Sequence, residues 1–329
     1  MQEGTPNVST KSLACVQTLS PPLTKWGDSF SFASDAPAWQ CCFSRDGSLL
    51  AVCYGAPDIC IRIWQGPEEW SLLATLSGVH TRSIRSIAFC PVGRILASAS
   101  FDGTVGIWEC THDSRDANED INGPFRNWEC TAQLEGHENE VKCVTWNDTG
   151  TLLGTCGRDK SVWIWECFLS ASLMPRDPET ADQGEFDCIA VLHGHEGDVK
   201  SICFAPSHDQ WGDGDEILLS ASYDDTIKCW AEDAGEWYCA ATLSAHASTV
   251  WSIATTPGGV RLVSGSDDQS IAVWKCYTAR EKAKLFPNDQ GASAKNGCWK
   301  CVGQLPDAHA SVVFSVAFST ARGGNGGLA

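Results

Sequence analysis

The sequence predicts an all-β fold of the β-propeller class, because a unit of four strand-like runs recurs at intervals of about forty residues or more. Within each unit, apolar residues alternate over short runs bounded by Gly, Pro, Asp and Ser, which is typical of strands joined by hairpin turns. The third run ends in tryptophan and the fourth begins with an aromatic residue. These observations predict blades of four antiparallel strands.

The units follow one another in register. Their third strands end at equivalent tryptophans, which are Trp64, Trp108, Trp165, Trp230 and Trp274. Their fourth strands are predicted at residues 70–76, 128–134, 186–192, 237–243 and 299–305. The first unit is an imperfect copy, since it lacks the histidine that precedes the first strand of the other four.

Two segments at the ends of the chain match only part of a unit. Residues 13–19 match a fourth strand although they precede the first unit, and His309 with residues 312–318 match the start of a sixth. We therefore expect five complete blades, the first strand of a sixth and an N-terminal latch strand. Residues 1–11 should form a flexible tail, and residues 12–329 an incomplete propeller in a C-terminally truncated fragment.

The longer insertions all fall in connections on one face of the predicted propeller. They lie between third and fourth strands, or between first and second strands, at residues 109–127, 166–185, 207–216 and 275–298. The opposite face, formed by the Gly-His and Asp turns, carries no insertion in blades two to five. A face with short, regular turns suits a binding surface.

The composition restricts the partners. Lys and Arg number 23 against 41 Asp and Glu, which gives a formal net charge of −18. That charge repels nucleic acid and anionic membranes, so we expect neither as a partner. No run approaches the ~18 apolar residues of a membrane span, and residues 1–11 contain no signal-peptide core. The 18 cysteines are therefore expected to be reduced, and mostly small buried side chains.

Four units share a set of polar residues at fixed spacing: a histidine, a Ser or Thr ten residues before the tryptophan, an aspartate six before it, and the tryptophan. The sets are His80, Ser98, Asp102 and Trp108; His137, Thr155, Asp159 and Trp165; His195, Ser220, Asp224 and Trp230; and His246, Ser264, Asp268 and Trp274. Ser, His and Asp together could indicate a hydrolase triad. Four copies instead favour the structural hydrogen-bond chain of WD-repeat propellers, which the units resemble. The first unit has Ala36 and Tyr54 at the histidine and serine positions, so it should be less rigid.

No motif for catalysis, metal or cofactor stands out. Cys298 and Cys301 form the one Cys-x-x-Cys, but a zinc knuckle needs a second pair and a redox motif needs a following helix. Phosphate loops, the His-Glu-x-x-His motif and the nucleophile elbow are absent. We therefore expect no catalytic residue, no metal and no cofactor.

The third unit resembles one family more closely. It contains Glu-Asn-Glu-Val-Lys, which ends at Lys142, and Arg-Asp-Lys-Ser-Val-Trp, which begins at Arg158. With the aromatic-x-Cys fourth strands, these strings resemble the WD-repeat subunit of the cytosolic iron–sulfur protein assembly targeting complex, over residues 12–318. That family has seven blades, so this sequence departs from it in length as well as in its long insertions.

The resemblance implies a late-acting, non-catalytic scaffold in cytoplasm and nucleus. Its partners would be the other subunits of the targeting complex and apo iron–sulfur client proteins. The family's functionally sensitive arginine falls on Arg158, whereas the residues alone also allow a solvated turn arginine. The alternatives are a generic WD-repeat adaptor, such as a ubiquitin-ligase substrate receptor or a chromatin scaffold, and an enzyme, which the missing motifs disfavour.

Register places a candidate partner surface on the face without insertions. The third and fifth positions after each histidine, and the position before each aspartate, should surround the central channel. Cations and aromatics there are Arg85, Phe101, Lys142, Arg158, Lys200, Tyr223 and Trp251. Such a group suits a short peptide with a carboxylate and an aromatic or apolar side chain. The alternative is that the cations form surface ion pairs with Glu140 and Asp198, of little energetic value.

Overall fold

Alternating apolar residues and short turns fold into five sheets. The computed structural model describes residues 36–66, 70–111, 127–168, 185–287, 296–306 and 309–318. Within them, twenty strands form five four-stranded antiparallel sheets in which consecutive strands pair. The all-β prediction with five complete blades is confirmed.

The strands of each blade are given in chain order. Blade one contains β1 (Ala38–Phe43), β2 (Leu49–Tyr54), β3 (Cys60–Gln65) and β4 (Ser71–Ser77). Blade two contains β5 (Ile84–Phe89), β6 (Ile95–Ser100), β7 (Val105–Thr111) and β8 (Asn127–Leu134). Blade three contains β9 (Val141–Trp146), β10 (Leu152–Gly157), β11 (Val162–Phe168) and β12 (Glu185–Leu192). Blade four contains β13 (Val199–Pro206), β14 (Glu216–Ser222), β15 (Thr226–Asp233) and β16 (Glu236–Ser244). Blade five contains β17 (Val250–Thr255), β18 (Arg261–Ser266), β19 (Ile271–Tyr277) and β20 (Cys298–Leu305).

The first strands of successive blades lie side by side, in the order β1, β5, β9, β13 and β17. The second strands are the most buried, as the wholly buried β6 shows. Apolar clusters fill the space between neighbouring sheets: Ile61 and Ile63 of blade one pack in one cluster with Leu96 of blade two. Each blade therefore depends on its neighbours for its core, as expected of a propeller.

Side chains on the first strands also join each blade to the next. Ile87 donates its backbone N–H to Gln40 Oε1 of blade one at 2.8 Å. Val144 donates to Ser86 Oγ at 3.2 Å, across the same kind of boundary. One polar side chain per boundary thus satisfies a backbone donor that faces the middle of the ring.

The structure assigns no strand to residues 312–318, where the sequence predicts the first strand of a sixth blade. This segment nevertheless lies beside blade five, because Val313 donates its N–H to Ser266 O at 3.0 Å and Val316 donates to Ser252 Oγ at 3.1 Å. A first strand obtains its ladder from the second strand of its own blade, and the described residues include none for it. The predicted tail at residues 1–11 and latch strand at residues 13–19 lie outside the described residues.

The insertions of blades four and five contact each other. Gln210 accepts the N–H of Gly297 at 3.0 Å through its carbonyl and that of Ala279 at 3.0 Å through Oε1, beside the buried Trp211. Ala279 opens α1 (Ala279–Leu285), which a capping box at Thr278 starts and which the sequence reading did not predict. No helix among the described residues is long and apolar enough to cross a membrane.

Candidate functional site

The four sets of polar residues form closed hydrogen-bond chains. In blade three, His137 Nδ1 lies 2.6 Å from Asp159 Oδ2, and His137 Nε2 lies 2.9 Å from Thr155 Oγ1. Trp165 donates its indole N–H to the same hydroxyl oxygen at 3.1 Å. If His137 donates from Nδ1 to the carboxylate, Nε2 is left to accept the Thr155 proton. The histidine, hydroxyl and indole groups of this hydrogen-bond chain then all have partners.

The other three sets repeat this geometry. The distances from histidine Nδ1 to carboxylate and from Nε2 to hydroxyl are 3.1 and 2.7 Å for His80, 2.8 and 2.7 Å for His195, and 3.0 and 2.7 Å for His246. The indoles of Trp108, Trp230 and Trp274 donate to the serine oxygens of Ser98, Ser220 and Ser264 at 2.8, 2.8 and 2.9 Å. Each of these hydroxyls is fully buried and already accepts an indole proton, so the geometry does not present it as a nucleophile.

The carboxylates of these chains are held ionised. Burial by itself would raise the pKa of Asp159, but hydrogen bonds from His137 and Ser161 outweigh burial and lower the pKa to about 2. The pKa of Asp268 is likewise lowered to about 2, against the effect of burial, by bonds from Ser270 and the backbone. Each carboxylate thus anchors the turn that follows the second strand of its blade.

Blade one corrects two sequence assignments, those of the histidine and serine positions. Ala36 does not occupy the histidine position, because Ala38 pairs with Tyr54 as Ile84, four residues after His80, pairs with Ser100. Strand register places Val52 opposite Arg62, as Ser98 is placed opposite Gly106, so Val52 and not Tyr54 occupies the serine position. Counting back from the tryptophan failed because the turn between β2 and β3 is two residues longer in this blade. Tyr54 is buried with Ala36 instead, and the blade lacks the hydroxyl.

A cavity of about 470 Å³ opens among the first strands, near the face without insertions. Its lining contains three cations and no Asp or Glu, although the chain carries a net charge of −18. The cations are Arg85, Lys142 and Lys200, and four aromatic side chains stand beside them: Trp39, Phe101, Trp251 and Phe314. Below them lies a ring of polar side chains, namely Gln40, Ser86, Cys143, Ser201, Ser252 and Ser315.

Cations and aromatic rings alternate around this cavity. Arg85 lies 5.4 Å from the centre of the Trp39 ring, Lys142 lies 4.1 Å from that of Phe101, and Lys200 lies 5.1 Å from that of Trp251. Two of the cations have acidic partners outside the cavity lining. Lys142 contacts Glu140 at 2.5 Å and Lys200 contacts Asp198 at 2.9 Å. No acidic partner is found for Arg85 among the described residues.

Arg158 and Tyr223 lie on the rim rather than in the cavity. The Arg158 side chain is 56% exposed, and its guanidinium stands 3.8 Å from Glu140. Tyr223 is 62% exposed and its ring lies 5.7 Å from the Lys200 ammonium. The structure therefore brings together five of the seven predicted partner-binding residues around the cavity and places these two above it.

Sequence reasoning missed three residues of this site. Phe314 occupies the fifth position after His309 and could have been found by extending the register rule to the sixth unit. Trp39 occupies the position equivalent to Arg85, but the longer turn of blade one hid this equivalence from counting along the sequence. Arg82 also escaped the rule, yet it donates to Glu140 at 2.8 Å and to the carbonyl of Phe101 at 2.5 Å, and so holds the rim of blades two and three together.

The Cys-x-x-Cys pair lies far from this cavity, on the outermost strand of blade five. Cys298 is buried and Cys301 is exposed, because residues three apart on a strand point to opposite faces. No group of three or more His, Cys, Asp or Glu side chains in the described part of the chain is arranged to hold a metal ion.

The sequence also matches a known repeat. A family model described as WD domain, G-beta repeat matches residues 70–109, 128–166, 186–231 and 237–275. Each matched segment contains the fourth strand of one blade and the first three strands of the next, together with one of the four hydrogen-bond chains. Blade one, which lacks such a chain, contributes only its last strand to the first match.

Relatives from several fungi are named probable cytosolic iron-sulfur protein assembly protein 1. That of Neurospora crassa is 35% identical over 310 residues, which cover 76% of this chain and 66% of the relative. That of Botryotinia fuckeliana is 30% identical, covering 87% and 75%, and that of Candida dubliniensis is 38% identical, covering 78% and 71%.

The chain spans just under two thirds of the Neurospora crassa relative, and 64% of one from Chaetomium globosum. The shared repeats and the identities, sustained over more than two thirds of the Candida dubliniensis relative, show that the chain belongs to the family of cytosolic iron-sulfur protein assembly protein 1.

Proposed function

We propose that this protein is a non-catalytic scaffold of cytosolic iron–sulfur protein assembly, which acts in cytoplasm and nucleus and binds partner proteins through the face without insertions. Its partners would be the other subunits of a targeting complex and the apo client proteins that receive clusters. The names of the relatives support a role in this assembly process. In this proposal the cluster itself is cargo held by other proteins.

One observation carries the binding proposal. In a chain of net charge −18, the central cavity is lined by three cations and four aromatic rings and by no acid. A carboxylate that enters it would meet Arg85, whose charge is not offset by a neighbouring acid among the described residues. Charge-assisted hydrogen bonds to a carboxylate are about twice as strong as neutral ones.

The aromatic rings specify the remainder of the ligand. Trp251 and Phe314 meet edge to face at 5.2 Å and leave apolar surface at the cavity wall. An aromatic or branched apolar side chain next to the carboxylate would stack there. The proposed ligand is therefore a short acidic peptide segment with an aromatic or apolar residue, with Arg158 and Tyr223 available to hold it at the rim.

Acidic residues next to the rim cations reduce the attraction of this site for a carboxylate. Glu140 contacts Lys142 and Arg82 and lies near Arg158, so part of the rim charge is already neutralised. Exposed ion pairs of this kind contribute little stability, and the rim side chains can exchange partners at small cost. For this reason we expect the cavity cations to matter more for binding than the rim cations.

Charge reversal tests the proposal. Lys142→Glu and Arg158→Glu should leave the protein folded and weaken partner capture, by about 1.5–3 kcal/mol where a charged hydrogen bond is lost. Arg45→Glu is the matched control, since Arg45 is an exposed arginine in the β1–β2 turn on the opposite face. Wild-type capture by the first two variants, with loss of capture in the control, would place the binding surface on the other face.

A generic WD-repeat adaptor is the alternative, and co-purification distinguishes the two. Protein recovered from cell extract should bring down iron–sulfur assembly proteins and apo clients if the proposal holds. Recovery of ubiquitin-ligase or chromatin components without them would favour the alternative. The buried, fully bonded hydroxyls of the four Asp-His-Ser/Thr-Trp chains argue against a hydrolytic enzyme.

A further inference from the structure

The ring of polar side chains beneath the cavity cations contains one thiol. Gln40, Ser86, Ser201 and Ser252 occupy equivalent places on the other first strands, and each accepts a backbone N–H of the next blade. Blade three has Cys143 in that place, and its side chain lines the cavity. A sulfur atom thus stands where sister blades present oxygen, and it is reached from the central opening.

Cys143 is paired across the sheet with a second cysteine. Cys156 lies directly opposite it in the β9–β10 ladder and is fully buried. Opposed residues in an antiparallel pair have Cα atoms about 4.5–5.5 Å apart, which is within the range that a disulfide spans. Cys156 also approaches Val199 O of blade four at 3.5 Å, so it is held in place from both sides.

The surroundings of Cys143 favour its thiolate. The neighbouring Cys156 thiol lowers the pKa of Cys143, burial opposes this, and the Ile202 N–H, the Ser86 hydroxyl and the Arg85 charge add to the lowering, so that the pKa falls to about 7. Lys142 and Lys200 are the other charged groups that face this part of the cavity, and Cys203 is the remaining thiol nearby. Polar neighbours and nearby cations of this kind favour a thiolate over a thiol.

Other cysteines of the described chain differ in this respect. Burial raises the thiol pKa of every other cysteine for which a shift is resolved, including the solvent-exposed Cys188 and Cys301. The solvent-exposed thiols are therefore not the ones with a lowered pKa. Burial thus favours the thiol form of Cys188 and Cys301, whereas the neighbours of Cys143 favour its thiolate.

We propose that Cys143 is a peroxide-sensitive modification site in the central cavity and that Cys156 is its resolving cysteine. This inference concerns the thiol pair alone and does not rest on the proposed function. Hydrogen peroxide is small and neutral, so it can enter a cavity of about 470 Å³.

The chemistry balances in two steps. The Cys143 thiolate attacks one peroxide oxygen, the O–O bond breaks, and the leaving hydroxide takes a proton to become water, which leaves a sulfenic acid on Cys143. The Cys156 sulfur then attacks the Cys143 sulfur, the S–O bond breaks, and the departing hydroxide combines with the Cys156 proton as a second water. The two thiols lose two electrons in total and peroxide gains them.

Peptide-resolved alkylation of the full chain tests the first requirement. With limiting iodoacetamide, Cys143 should be labelled with a midpoint near pH 7, and at that pH at least about tenfold faster than Cys188, whose thiol is exposed but protonated. Labelling of Cys143 no faster than of Cys188 at neutral pH would overturn the proposal.

Peroxide treatment tests the second requirement. The wild-type chain should form a Cys143–Cys156 disulfide, detected in digests as a linked peptide pair that reductant separates. Cys156→Ser should prevent the disulfide and leave a sulfenic acid that dimedone traps at Cys143. Cys143→Ser, which installs the residue of the sister blades, should keep the melting temperature and abolish both products. Oxidation of Cys188 or Cys301 before Cys143 would contradict the assignment.

Discussion

Blade one and blade three have the same four-stranded topology but differ in what holds their turns. In blade three, Asp159 is linked through His137 to Thr155, and the Asp159 side chain is only 10% exposed. In blade one, the corresponding Asp58 bonds Arg62 at 2.8 Å with 45% of its side chain exposed. The comparison shows that a four-stranded sheet forms without the hydrogen-bond chain, whereas the turn of blade three is fixed by it.

The strands of blade one form without the hydrogen-bond chain, because alternating apolar residues still bury one face of each strand. Ile61 and Ile63 are fully buried between blades one and two. The hydrogen-bond chain of blade three adds a fixed connection between two turns, the one after the second strand and the one before the first strand. This connection positions Arg158, whose backbone N–H donates to Glu140 O at 2.9 Å on the cavity rim.

Acidification should produce the largest difference between the two blades. The folded carboxylates of Asp159 and Asp268 have a pKa of about 2, below ~3.9 in an unfolded chain, so the unfolded state binds more protons. Their stabilisation is present above about pH 4 and is lost as the pH falls toward 2, at about 2.5 kcal/mol per blade and in more than one blade at once. Hydrogen exchange, corrected for intrinsic rates, should show blades two to five losing protection before β2 and β3.

Blade four should begin to lose stability at a higher pH than blade three. Burial lowers the pKa of His195 below its usual ~6.5, so charging this histidine opposes folding as the pH falls through that range. In blade one, hydrogen bonds from Ser44 and Ser48 of its own turn lower the pKa of Asp46 to about 2. Equal loss of protection in blades one and three would remove the distinction.

Removal of the carboxylate gives the next largest effect. Asp159→Ala leaves the buried His137 and the N–H of Glu138 without their acceptor, and should lower the free energy of unfolding by about 2–3 kcal/mol. Asp58→Ala removes one exposed ion pair and should cost no more than about 1 kcal/mol. Urea denaturation of both variants measures the difference. A smaller cost for Asp159→Ala than for Asp58→Ala would show that blade three does not depend on its chain.

Substitutions at the equivalent positions Thr155 and Val52 test how much the hydroxyl group contributes to stability. Thr155→Val keeps the shape but leaves the Trp165 indole and His137 Nε2 without their partner, which should cost about 1–2 kcal/mol. Val52→Thr places a hydroxyl at the same register position in blade one, where no histidine set completes the chain, and should not stabilise it. A stabilising Val52→Thr, measured by thermal denaturation, would mean that blade one possesses a partner that its sequence does not suggest.

Salt should produce the smallest effect. The exposed Asp58–Arg62 pair is screened in about 1 M NaCl, whereas the buried bonds of blade three are not. The stability difference between wild type and Asp58→Ala should therefore fall by a few tenths of a kcal/mol at high salt. The cost of Asp159→Ala should stay the same under the same conditions.

The sequence itself contains the blade repeat and the members of the four hydrogen-bond chains. Both depend on short-range order: strand alternation has a period of two, and the distances from Ser or Thr to Asp to Trp are set by one hairpin. Where a turn changes length, this counting fails, as it does for Tyr54 in blade one. The helix over Ala279–Leu285 also escaped the strand pattern, because it lies in an insertion held by Gln210 of another blade.

The central cavity depends on several blades at once. Register predicts that Arg85, Lys142, Lys200 and Trp251 face the channel, since each follows a histidine by the same interval. It does not predict that Trp39 joins them, nor that Ser86 of one blade lies beside Cys143 of the next. Those contacts arise only when the first strands assemble around a common axis, because the distance between residues of different blades is set by sheet packing and not by spacing along the chain.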